Sequence, residues 1–144
     1  MTRPMYESAA DRSNEQQVIE RLAAAWGGEY HKLPISYRMD YGVVRNGEIA
    51  SFVEIKARHM RWGQYPTVMV SMSKVLTAAN YAESLGLPTM FVVCTNDGRL
   101  HFARLGDIHL HAKLVHGGRT VQTRDDGDIE PCYMIPNAQF AEIK

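Results

Sequence analysis

Asp40, Glu54 and Lys56 stand in the stretch DYGVVRNGEIASFVEIK, with thirteen residues between the two acids and one between Glu54 and the lysine. Two carboxylates brought within a few ångströms repel each other and invite a hard divalent cation such as Mg²⁺, which prefers oxygen donors. Residues two apart on a strand project from the same face, so Glu54 could hold a metal while the Lys56 ammonium sits beside a water or an anionic group. The plain alternative is an edge hairpin whose charges are solvated.

Whether the three groups meet depends on the hairpin that carries them. Asn46-Gly47 is a strong two-residue turn signal between two apolar runs. With that loop alone, Arg45 faces Glu48 and Asp40 falls opposite Val53. Directly opposed residues share a face, so Asp40 would then point away from Glu54 and Lys56. A three-residue loop, Arg45-Asn46-Gly47, removes the conflict, as does a bulge elsewhere between Asp40 and Glu54. A metal shared by the two acids therefore requires one of these irregularities.

The surrounding pattern supplies elements to hold the hairpin. A first helix is expected from about Asn14 to Trp26, with Ser13 as N-cap, Gln16 three residues on, and Gly27-Gly28 ending it. Residues Glu29 to Arg38 read as extended, near an edge or bend because of Pro34. After Lys56, ARHMRWGQYPT reads as irregular. A second helix is expected from about Ser71 to Leu85, striped by Met72, Val75, Leu76, Ala79 and Ala82 and closed by Gly86 and Pro88. TMFVVCT reads as a strand covered on both faces, followed by an NDG turn and the strand RLHFAR. A hairpin around HGG and a short strand at CYMIP complete the chain.

One acid on the first helix stands out. Val18, Ile19, Leu22, Ala23 and Trp26 share one face of the wheel, and Glu15 falls at its centre while Glu20 falls well off it. A core-facing carboxylate needs a partner, because burying it alone is costly. A first-turn acid also favours the helix dipole and can stay wet. Both readings of Glu15 stand at this point.

The order of helix-one acid, Asp40, Glu54-Ile55-Lys56, helix and apolar strand resembles the PD-(D/E)XK nuclease superfamily over about residues 13 to 105. Met39 stands where the proline of the motif would be. A second Glu-Ile-Lys, at residues 142–144, lacks this context and shows that the letters alone are not specific. The resemblance implies an α/β restriction-endonuclease-like core: a central mixed sheet flanked by helices in the order α-β-β-β-α-β-β, with a C-terminal β-hairpin extension over about 106–144. It further implies hydrolysis of phosphodiesters in nucleic acid, DNA before RNA, with Mg²⁺ or Mn²⁺ held by Asp40, Glu54 and the backbone carbonyl of Ile55. In this reading Lys56 positions the attacking water or stabilises developing charge. Glu15 corresponds to a helix-one acid that some branches use as a further or water-mediated ligand. A chain of this length has little room for a separate specificity domain, which favours recognising structure such as junctions, flaps or ends. Small stand-alone members of the superfamily that resolve junctions are often dimers, so a homodimer is the matching expectation.

Basic residues near the motif are candidates for the nucleic-acid backbone: Arg58, His59 and Arg61 directly after it, Lys74 in the first turn of helix two and, more weakly, Arg12 and Lys32. Trp62 and Tyr65 could stack on bases, although loop aromatics more often cap a core. The His109-x-His111 pair, read as on a strand, lacks a third ligand for zinc. Gly117-Gly118 has no strand-to-helix context for a phosphate loop. Asp125, Asp126 and Asp128 lack the flanking helix and closing acid of a calcium loop.

The bulk numbers agree with an ordinary globular chain. It has 144 residues, 45% hydrophobic and 22% charged, the size of one domain with one core. Lys plus Arg equals Asp plus Glu, which disfavours tight nonspecific binding along phosphates without excluding a local basic face. Cys94 and Cys132 are too few for a disulfide framework or a four-cysteine zinc site, and Cys94, in an apolar run, reads as a buried thiol. MTRPMYESAADRS has no apolar core segment for a signal peptide, and no run approaches the roughly 20 residues of a membrane span, so a cytoplasmic location is expected. The competing reading is a nucleic-acid-binding or protein-interaction module that keeps this fold without catalysis.

Overall fold

The structure, a computed structural model, describes residues 9–118 and 129–144. The side chains of 9–13, that of Arg12 among them, and of 118 and 129 are not described, and the acids 125, 126 and 128 lie outside the described residues. Helix α1 spans Ala9–Trp26, and strands β1 (Glu29–Lys32), β2 (Tyr41–Arg45), β3 (Glu48–Arg58) and β4 (Thr67–Ser71) follow. Helix α2 covers Met72–Leu85 and leads to β5 (Thr89–Thr95), β6 (Leu100–Arg104), β7 (Lys113–Gly118), β8 (Ile129–Pro136) and β9 (Ala141–Ile143). Among the described residues no helix is long and apolar enough to cross a membrane.

Six strands form one sheet in the order β1-β2-β3-β5-β6-β9, and three form a smaller one, β4-β8-β7. The larger sheet is mixed: β3 and β5 run parallel and the other neighbours antiparallel. Strand alternation gives it two apolar faces. On one face Val18, Ile19 and Leu22 of α1 meet Tyr41, Val43, Val53, Val92 and Leu100. On the other, Val75 and Ala78 of α2 and Val68, Val70 and Ile135 of the small sheet meet Phe52, Phe91, Val93 and Ala103. β5, apolar along its length, is covered on both sides, as its sequence suggests.

Several boundaries differ from the sequence reading. α1 begins at Ala9, so Ser13 lies inside it and not at its cap; Ala9-Ala10 are strong helix formers that carry the helix upstream. β1 stops at Lys32 because Pro34 leads into a short 3-10 turn, Ile35–Tyr37, closed by Arg38 in the left-handed region. β3 continues through Arg58, and β4 adds a strand before α2, which makes the order α-β-β-β-β-α-β-β. Ser71 ends β4 and caps α2, its hydroxyl accepting from Ser73 N at 3.1 Å. HGG lies within β7, which pairs with β8 as the expected C-terminal hairpin. His109 lies in the 3-10 turn Ile108–Leu110, closed by His111, not on a strand. Cys94 is half-buried, and the second Glu-Ile-Lys runs into the edge strand β9.

Candidate active site

The β2–β3 hairpin combines a tight turn with one irregularity. Arg45 pairs with Glu48, so the loop has two residues, with Asn46 and Gly47 at φ 53° and 80° as a primed turn requires. Val44 pairs with Ile49, but Val43 pairs with Ser51, which leaves Ala50 as an extra residue on β3. This bulge shifts the later register by one: Gly42 faces Phe52 and Tyr41 faces Val53. One step further, Asp40 comes opposite Glu54. The irregularity that a shared site requires is present, at Ala50 and not in the loop.

A hydrogen bond fixes Asp40 where β2 starts. Its Oδ2 accepts from Ile55 N at 2.8 Å, taking the place of the strand partner that Ile55 would otherwise lack on that side. Glu54 is 5% exposed and points to the α2 side, one alternation from Phe52. Burial first, and the nearby charge of Asp40 second, push its pKa up to about 7, while Lys74 and Lys56 pull it back. Lys56, two residues on, shares that face and is exposed at the surface. Removal from bulk water, then the charge of Arg58, makes it hold its proton less tightly than an ordinary lysine, with Glu54 opposing.

Glu15 is nearly buried, with a side chain 16% exposed, as its place on the inward face of α1 predicts. Its Oε1 accepts from Tyr41 Oη at 2.8 Å and from Lys32 Nζ at 2.7 Å. Lys32 also lies 3.8 Å from Asp40 Oδ1, so this lysine links the helix acid to the strand acid. Among the described residues no three His, Cys, Asp or Glu side chains converge as a metal cluster. Glu20 is exposed on the opposite side of the helix.

The basic candidates divide. Arg58 donates to the Met69 carbonyl of β4 at 2.6 Å; it ties the two sheets together and does not line an open rim. His59 and Arg61 are exposed in the 59–66 segment. Lys74 turns inward onto Glu54. Trp62 stacks on His101, with ring centroids 3.6 Å apart, and packs against the core, so it is not a free stacking platform. Two participants escaped the sequence reading. Tyr41 holds Glu15, and its position next to Asp40 on the opposite, α1-facing alternation was the available signal. Arg38, two residues before Asp40, donates from Nη1 to Ser73 Oγ at 3.2 Å. No sequence pattern marks that contact.

Oxygen donors at Asp40 and Glu54, with a buried carboxylate that needs countercharge, suit a hard divalent cation. An ammonium already rests on Glu54, so the position attracts positive charge.

No curated protein matches the chain. A solved structure of Archaeoglobus fulgidus Hjc, a Holliday junction resolvase from an archaeal hyperthermophile, shares the fold with a TM-score of 0.55 and 16% sequence identity, over 94% of this chain and 93% of that one. A restriction-endonuclease-like core is therefore the fold here. The family model described as "Phage putative PDDEXK endonuclease" matches residues 1–143, and the chain belongs to that endonuclease family.

Proposed function

We propose that the protein is a divalent-metal-dependent endonuclease that cuts DNA at branched or otherwise structured sites. The observation that carries this reading is the Ala50 bulge, which turns Asp40 onto the face of Glu54 and Lys56. Asp40, Glu54 and the Ile55 carbonyl would hold Mg²⁺ or Mn²⁺. The cation, when bound, neutralises phosphate charge and lowers the pKa of water beside it. Asp40 is kept in place by Ile55 N–H, and Lys56 would position the attacking water or stabilise the charge that develops on the phosphate. His59 and Arg61 extend over the rim to phosphates. The preference for branched DNA draws on the fold neighbour, a resolvase, and two copies acting together would cut two strands. A DNA substrate goes with a cytoplasmic site of action.

Incubation with supercoiled plasmid, linear duplex and four-way branched DNA, each in Mg²⁺, Mn²⁺ or EDTA, tests the reading. Cleavage of branched DNA that EDTA abolishes is expected. Cleavage that survives EDTA removes the metal, and equal cutting of linear duplex removes the structural preference.

Glu15 acts through Lys32. Loss of its charge weakens the hold on that ammonium and shifts it toward Asp40, 3.8 Å away, where it competes with a metal. Glu15→Gln is expected to weaken Mn²⁺ binding by about two- to fivefold, an ion-pair-sized effect. Glu20→Gln leaves binding unchanged. Calorimetric titration of both variants decides: equal affinities would return Glu15 to a helix-dipole role.

A further inference from the structure

Lys74 occupies an unusual place for a cation. It lies in the first turn of α2, where the helix dipole disfavours positive charge. Its Nζ is 3.3 Å from Glu54 Oε1 and 3.2 Å from Oε2, and it also donates to the Arg38 carbonyl oxygen. Arg38 has φ 63°, which closes the 3-10 turn just before Asp40. Its guanidinium reaches back to Ser73 on the same helix turn. The loop leading into Asp40 and the start of α2 are thus clasped together, and the clasp delivers an ammonium onto Glu54. The Glu54 side chain is 7% exposed and that of Lys74 is 31% exposed, so the carboxylate is enclosed while the ammonium keeps a way out to solvent.

We propose that Lys74 is a resident counter-cation that a divalent ion must displace from Glu54, so that this residue sets the metal concentration at which the site loads. Once displaced, the ammonium stays tethered at the Arg38 carbonyl beside the site and faces a substrate phosphate. The inference rests on the nuclease reading above and adds to it a positioning residue with two opposed effects. Lys74 weakens metal binding in the free protein and assists cleavage in the loaded one. A purely structural ion pair would not separate these.

The test is calorimetric titration of the full chain with Mn²⁺, for wild type, Lys74→Met, Lys74→Arg and Asp40→Asn. It is run at about pH 8.5, above the Glu54 value, because an uncovered carboxylate binds protons more readily. Lys74→Met is expected to bind Mn²⁺ about fivefold more tightly and Lys74→Arg like wild type, the size of a partly exposed ion pair. Cleavage by Lys74→Met then reaches half-maximum at lower Mn²⁺ but levels off at a lower rate. Lys74→Gln repeats the comparison with a polar side chain if the methionine variant melts early. Unchanged or weaker binding in the neutral variants, in a protein whose Mn²⁺ binding Asp40→Asn abolishes, overturns the counter-cation and leaves the nuclease reading intact. No Mn²⁺ binding by wild type overturns both.

Discussion

Asp40→Asn, Glu54→Gln and Lys56→Ala should each lower single-turnover cleavage by about a thousandfold or more, the scale of losing charge stabilisation or an activated water at a phosphate. In the proposed site the three groups share one small volume: counting on from the Tyr41–Val53 pair sets Asp40 opposite Glu54, and Lys56 follows on the same side. None of them fills the cores on either face of the sheet, which are apolar and dominated by residues such as Phe91, Leu22 and Val92. Circular dichroism and melting curves should therefore stay close to wild type at pH 5. Two of the three variants cutting within about tenfold of wild type would remove the catalytic assignment.

The second large effect is on stability. Glu54 titrates near 7 in the folded protein against an ordinary value of 4.5, mainly because it is buried. The folded state thus holds this proton more tightly than the unfolded chain does. Below about pH 4.5 both states carry it and the group costs nothing. Between the two values the unfolded chain releases it first, so stability falls as pH rises. Above about pH 7 the full cost is present, on the order of 3 kcal/mol by proton linkage. In EDTA, wild type should lose stability from pH 5 to pH 8 relative to Glu54→Gln, whose neutral amide carries no such cost. Urea unfolding of both proteins at the two pH values measures this. Added Mn²⁺ should then restore wild type at pH 8 and leave Glu54→Gln unmoved, since only the state that binds metal is stabilised. Parallel pH profiles for the two proteins would show that Glu54 is not a buried, strained carboxylate.

Much of this site could be read from residue order because its parts are local. Asn46-Gly47 announces the turn, Glu54 and Lys56 share a face by alternation, and the helical wheel separates Glu15 from Glu20. The bulge could be required but not located, since Ala50 is a residue that any strand accepts and no letter marks it as extra. β4 was missed because five residues, TVMVS, directly abut a helix whose cap is the last of them. Its Val68 and Val70 are buried between the small sheet, which forms from distant strands, and the face of the large one. The same distance explains Arg58 and Lys74. Their partners, the Met69 carbonyl and Glu54, are tertiary neighbours, and sequence proximity to the motif could only suggest a role at the rim.

The borders of the large sheet bear on how copies of this protein can associate. One border is β1, four residues with exposed Glu29, His31 and Lys32; the other is β9, three residues whose Glu142 is held by Arg99 at 3.0 Å. Short, charged outer strands make poor templates for pairing with another chain. Assembly by extending this sheet from one molecule into the next is therefore disfavoured at both ends. A closed pair with two-fold symmetry would instead be built from helices, loops or the small sheet.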